Sequence, residues 1–301
     1  MRKNYLRQVK LLVEAIPYIE KEECFALKGG TAINLFLRDM PRLSVDIDLT
    51  YLNFDDRASA MKNQKAALER ILRDLIGAGF YGAIQGSGEE KKIIVSDREF
   101  SIKIEPNCTL RGHIFKPKLF GICKKAEQEF GYAEMRIVSA PELFGGKMCA
   151  ALDRQHPRDL FDISLLLEDD TMIEGLIDGF IVMLLSHNRP LHEILNPMRK
   201  DMSRVFDQEF SGMTDIVFTY DQHVSTLEKL LSFIYSKLVP YRNLLLDFVS
   251  LRLDLATISI PNIDKLPAIL WKQQNLTRLR ERDYKKFCEQ EKKLEQVLNA
   301  M

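Results

Sequence analysis

Apolar and polar positions change their spacing several times along this chain, and each change marks an element. Residues 24–30, CFALKGG, run four apolar positions into a lysine and two glycines, which predicts a short strand ending in a turn. TAINLFLRD follows as a helix starting at that turn. In the next segment, 45–52, Val45, Ile47 and Leu49 alternate with Asp46 and Asp48, the two-residue period of a strand with one apolar face. From Arg57 to Ile76 the apolar residues Ala60, Met61, Ala67, Leu68, Ile71, Leu72, Leu75 and Ile76 recur at helical spacing, and Gly77 and Gly79 stop the helix. Three short runs with strand character come next, FYGAIQ, KKIIVS and EFSIKIEP. Beyond about residue 139 strand signals fade. Ser139 to Glu142 has the form of a capping box with proline in the first turn, HPRDLFDISLLLEDD opens a second helix, and 172–186, 223–239, 241–255 and 265–299 read as further helices. The pattern predicts an α/β half with a mixed sheet over residues 1–138 and a helical half over 139–301.

Strand 45–52 raises a chemical question, because its alternation puts Asp46 and Asp48 together on the face opposite Val45, Ile47 and Leu49. Two carboxylates that close repel each other unless both are solvated or a divalent cation sits between them, and hard oxygen ligands suit Mg²⁺. A half-exposed strand edge explains the pair equally well. Glu105 joins them if strand 99–106 pairs with strand 45–52, since Ile102 and Ile104 leave Lys103 and Glu105 on the other face. Such a cluster supports in-line attack on a nucleoside triphosphate. The competing reading is that Lys103 simply pairs with an acid on a solvated face. Gly29, Gly30 and Thr31, at the preceding turn, allow a ligand close to the backbone, although a glycine pair is also ordinary turn geometry.

Composition narrows the alternatives. Lys plus Arg number 43, equal to Asp plus Glu, so a polyanion would have to be met by a local basic patch rather than by the global field. The five cysteines are scattered and contain no C-x-x-C pair, which argues against a disulfide framework or a zinc site and fits a reducing compartment. The five histidines form no metal motif. The basic and apolar start is interrupted by Lys10 and Glu14 and reads as an amphipathic helix, and the run IDGFIVMLLSH is too short to span a bilayer. A soluble, cytoplasmic protein is the expectation.

Four stretches in order, GGTAINLF, RLSVDIDL, FGGKMCAALDRQ and HPRDLFDI, make residues 24–165 resemble the AbiEii-type nucleotidyltransferases, toxin components of type IV toxin–antitoxin systems within the DNA polymerase β-like superfamily. The resemblance implies a nucleotidyltransferase-like fold and transfer from a nucleoside triphosphate with Mg²⁺. It places the nucleotide on Gly29, Gly30 and Thr31, the metal on Asp46 and Asp48 with Ser44 beside them and Arg42 upstream, the triphosphate on Lys147, and a final acidic motif on Asp159 or Asp162. It further implies the 3′ end of a tRNA as acceptor and a cognate antitoxin encoded nearby. Transfer to a small molecule or a protein, and a non-catalytic binding module, are the alternatives.

Physics gives some of these residues independent readings. Lys147 follows a Gly145-Gly146 step that permits close approach, and an ammonium suits β and γ phosphates; as a helix-surface lysine its removal should cost little stability. Asp159 and Asp162 near a helix start are favoured by the helix dipole whatever their function. Residues 272–293 hold eight Lys or Arg against four acids beside Trp271, which fits either an RNA-facing helix or a solvated one.

Overall fold

The computed structural model describes residues 2–169 and 173–301. The chain forms two compact units, one made of the residues up to Ser139 with Phe210–Val217, the other of Ala140–Glu209 and Phe218–Met301.

The first unit opens with helix α1 (Arg2–Glu20), whose apolar side buries Val9, Leu12, Val13, Ile16 and Ile19. Strand β1 (Phe25–Lys28) ends at the two glycines, and α2 (Gly29–Ala32) runs on into a π-helical turn over Ile33–Leu37. Then come β2 (Asp46–Tyr51), α3 (Arg57–Gly77), β3 (Tyr81–Gln85), β4 (Lys92–Ser96) and β5 (Ser101–Asn107). Asp56 caps α3 by accepting from the amides of Ala58 and Ser59, satisfying donors that the first turn leaves free. β6 (Lys118–Gly121), α4 (Lys124–Phe130) and β7 (Glu134–Ile137) complete the unit.

All seven strands form one mixed sheet in the order β3-β4-β5-β2-β1-β7-β6. β2 lies between antiparallel β1 and parallel β5, so the segment with the alternating aspartates is central. Its apolar residues Ile47 and Leu49 are buried, and the stripe Ala60, Ala67, Leu68, Ile71 and Leu75 of α3 is buried in the same unit. The segment Phe210–Val217 belongs here because the Leu43 amide donates to Met213 O (2.8 Å) and Thr214 Oγ1 donates to Pro41 O (2.7 Å).

The second unit contains α5 (Ala140–Arg154), α6 (Pro157–Leu167), α7 (Leu176–Ser186), α8 (Leu191–Leu195), the short α9 (Ser203–Val205), α10 (Tyr220–Leu238), α11 (Arg242–Val249), α12 (Pro267–Arg282) and α13 (Tyr284–Asn299). α5 and α7 cross with backbones in contact: a Cβ on Gly145 would lie 2.4 Å from the Gly179 carbonyl carbon, and one on Gly179 would lie 2.1 Å from Pro141 O.

The expected mixed α/β architecture with a large helical part is present. Several boundaries differ. The segment from 118 to 137 carries two strands and a helix that its weak alternation hid. The helix expected over 265–299 breaks at Asp283, whose side chain caps a new helix by accepting from the Lys286 amide. The helix expected over 241–255 ends at Val249, where Leu251 takes φ 59°. Residue 172, the expected start of another helix, lies outside the described residues. Among the described residues no helix is long and apolar enough to cross a membrane.

Candidate active site

The glycine turn and the acidic strand meet in the first unit. Cross-strand register places Lys28 of β1 opposite Asp48 of β2, and Asp48 opposite Glu105 of β5; Asp46 is opposite Lys103. Partners directly opposite in a sheet share a face, so Lys28, Asp46, Asp48, Lys103 and Glu105 project together. Three acids and two lysines on one patch leave a single excess negative charge.

The glycines have specific reasons. Gly29 has φ +75°, and a Cβ there would lie 2.5 Å from Asp48 Oδ2, so the carboxylate occupies the room that the missing side chain leaves. A Cβ on Gly30 would lie 2.6 Å from Arg42 Nη2 and 3.0 Å from Ser44 Oγ. At both positions the space that a side chain would take is filled by the protein's own polar groups. Thr31 ties the turn to β2, its hydroxyl lying 3.0 Å from Ser44 Oγ and close to the Asp46 carbonyl. Arg42, also buried, donates from Nη1 to Leu43 O (2.9 Å). The start of β2 is thereby locked to the helix that follows β1.

Lys28 is the residue that sequence reasoning missed. Burial pushes its ammonium below the ordinary lysine range, while Asp48 and Glu105 pull it back up. Lys103 Nζ lies 2.6 Å from Glu105 Oε2, and that contact raises the lysine further, with Asp46 and Asp48 adding to the effect. A signal for Lys28 was available, since a polar residue closing an apolar strand beside a glycine pair has to face something.

The donor set permits a test for Mg²⁺. Among the described residues no three His, Cys, Asp or Glu side chains converge as a metal-holding group. The Glu105 carboxylate is engaged by Lys103, and Asp46 and Asp48 share the face beside it. Two carboxylates, with substrate phosphates supplying further oxygens, are the usual protein share of a Mg²⁺ site, so this pair fits the ion.

In the second unit, Lys147, Asp159 and Asp162 form a buried ion cluster. Lys147 Nζ lies 2.8 Å from Asp159 Oδ1 and 3.0 Å from Asp162 Oδ2, and Arg154 reaches Asp159 from the surface side. Lys147 is only 7% exposed, so it is not the surface lysine that its helical setting predicted. Burial alone would raise the Asp159 carboxyl; Lys147 and Arg154 outweigh it and hold the group well below the usual carboxylate range. His156 caps α6, its Nδ1 accepting from the Arg158 amide (3.2 Å), which puts Asp159 in the first turn, where the dipole also favours a carboxylate. The Gly145-Gly146 step before Lys147 is explained on the Gly145 side by the crossing of α7.

Residues 10–231 match the family described as nucleotidyl transferase AbiEii toxin of a type IV toxin–antitoxin system. No curated protein matches the sequence. Among solved structures, MenT4, a nucleotidyltransferase toxin from Mycobacterium tuberculosis H37Rv, is similar with a TM-score of 0.55 at 14% identity, over 96% of this chain and 93% of that one. At that identity the likeness is one of fold.

Proposed function

Because the chain belongs to the AbiEii nucleotidyltransferase toxin family of type IV toxin–antitoxin systems, we propose that it transfers a nucleotide from a nucleoside triphosphate to an RNA hydroxyl, the 3′ end of a tRNA being the acceptor. The observation that carries this reading is the shared face of Asp46 and Asp48 on a central strand, beside a glycine turn shaped around the Asp48 carboxylate. In this reading Asp46 and Asp48 hold Mg²⁺. The chemistry supplied by the bound ion is charge neutralisation at the triphosphate and activation of the attacking hydroxyl.

The chain's own residues prepare that patch. Thr31 and Ser44 hold the first carboxylate's backbone in place. Lys28 and Lys103 offset part of the repulsion among Asp46, Asp48 and Glu105, since the acids pull on both ammonium groups. Lys147 is assigned the triphosphate, with Asp159 and Asp162 orienting its ammonium. The partner implied by the family is an antitoxin.

The test is transfer of label from each of the four triphosphates to total RNA, with and without Mg²⁺. Asp46→Asn keeps the shape and removes the charge, and should cut transfer on the order of 10²–10³-fold, the scale of losing one group that stabilises developing charge. Full activity in a folded Asp46→Asn protein would remove the acidic pair from the chemistry. Label appearing on protein or small molecules instead of RNA would replace the acceptor.

A further inference from the structure

α12 and α13 lie beyond residue 231, where the family match ends. On α12, Trp271, Asn275, Arg278 and Arg282 follow one another at i, i+4, i+7 and i+11, which sets them in a single stripe along one helix face. All four are exposed. The Arg278 guanidinium lies 5.4 Å from the Trp271 ring centroid, and Trp271, the chain's single tryptophan, is 44% exposed. Neither Arg278 nor Arg282 has an ion-pair partner among the described residues. Just past the Asp283 break, Tyr284, Lys285 and Lys286 are exposed at the start of α13. Lys272 takes no part in it, being buried with its ammonium on the carbonyls of His187 and Arg189.

Two structural explanations for these charges fail in part. The helix dipole favours Arg280 and Arg282 in the last turn of α12, but it disfavours Lys285 and Lys286 in the first turn of α13. Solubility accounts for cations and not for an exposed indole set beneath one of them. An aromatic face next to exposed guanidinium groups is the arrangement that stacks a base and holds phosphates without reading sequence. The chain's net charge is zero, so this patch is a local feature.

We propose that the stripe docks a single-stranded segment of RNA, one base stacking on Trp271 and the phosphates on either side meeting Arg278, Arg282 and the lysines of α13. The identification of the strand as RNA rests on the reading that the acceptor is RNA; the stacking and phosphate contacts do not. An acidic protein would meet the same cations but would have no use for the indole face.

The experiment uses the full chain carrying Asp46→Asn, so that binding is read without transfer. A labelled 12-nucleotide single-stranded RNA is titrated by anisotropy between about 50 and 200 mM KCl, and Trp271 fluorescence is followed in the same samples. Binding should quench the tryptophan. Arg278→Gln with Arg282→Gln should lower the slope of log affinity against log salt by about 1.4, which is two phosphate contacts at ~0.7 each, equally for every RNA sequence. Trp271→Leu should weaken binding roughly 10-fold, within the range measured for one stacked base. All these positions are exposed, so melting curves should be unchanged. RNA bound with an unquenched tryptophan, or an unchanged slope in the double variant, overturns the proposal. So does equal quenching by a polyglutamate peptide, which would make the surface one for an acidic protein. If RNA binds through the stripe and the wild-type protein labels no RNA, the proposed reaction falls and this surface stands; labelling of RNA with no quenching is the reverse.

Discussion

Replacing Lys147 by alanine should destabilise the second unit severely. Its ammonium sits 2.8 and 3.0 Å from two carboxylates that are themselves 1% and 0% exposed. Removing one partner of a buried ion cluster leaves the others charged in a poorly solvated place, at a cost of about 3–5 kcal/mol. Arg154 still pairs with Asp159 from the surface side, which moves the cost toward the lower end of that range. Deleting the buried lysine stem adds a smaller packing loss. For a unit of this size each kcal/mol shifts the melting temperature by ~2–4 °C, so a fall of about 6–20 °C is expected.

Differential scanning calorimetry of wild type and Lys147→Ala at pH 7 measures this directly. A second variant separates charge from packing: Lys147→Met with Asp162→Leu removes an opposite pair together and should lose less than the two single changes summed. A fall under about 2 °C for Lys147→Ala would refute the reasoning, since that is the outcome for a solvated lysine. The same experiment bears on activity. Loss of transfer in Lys147→Ala is evidence of a catalytic role only when measured well below the variant's own melting transition.

Gly145→Ala should destabilise by about 1–3 kcal/mol or more, because the new methyl meets α7 backbone rather than a movable side chain; a melting temperature within 2 °C of wild type would show that the helices separate freely. Lys272, pushed by burial down to about 8, should make stability rise with pH between about 8 and 10.4. In that window the unfolded lysine binds a proton that the folded one has released, and the neutral amine still carries N–H groups for the His187 and Arg189 carbonyls. Urea midpoints across this range should lose the rise in Lys272→Met, and an unchanged profile in that variant would contradict it. Lys28→Met should tighten Mn²⁺ binding about fivefold, the equivalent of ~1 kcal/mol for one nearby charge at a partly solvated site, and calorimetric titration showing equal affinity would separate Lys28 from the acidic patch.

The parts of the fold that could be read in advance are those where one strong period runs for many residues. α3 keeps an apolar stripe through 21 residues and ends in glycines, and its limits differ from the expected ones by a residue. Strands β6 and β7 have four residues each, and β6 is mostly exposed, so alternation has too few positions to register. The break between α12 and α13 is made by one aspartate changing from helix interior to cap, which periodicity cannot reveal because both helices are amphipathic. Phe210–Val217 joins the sheet unit through hydrogen bonds to residues about 170 positions away, and nothing local encodes that.

The chemistry was legible where side chains share a strand and obscure where they share only space. Asp46 and Asp48 lie two positions apart, so the strand period alone puts them together. Lys28 reaches them through β1 pairing, and its distance in sequence hides it. Glycine pairs are ambiguous for a related reason. A missing side chain says that something comes close, without saying what, and here Asp48 fills the space at Gly29, Arg42 at Gly30, and α7 at Gly145. Lys147 combines both difficulties. Its helical setting is that of a surface residue, and only the packing of α5 against α6 turns it inward onto two aspartates, where the ammonium is held in one place instead of moving in solvent. A cation held that way is a better electrostatic partner for a phosphate than a mobile one, because no reorganisation precedes the contact, yet it carries less net charge to offer. The two effects oppose each other in affinity but not in rate. Lys147→Arg should therefore separate them, retaining much of the triphosphate affinity while losing transfer through misplacement, and equal losses in both would assign Lys147 to structure alone.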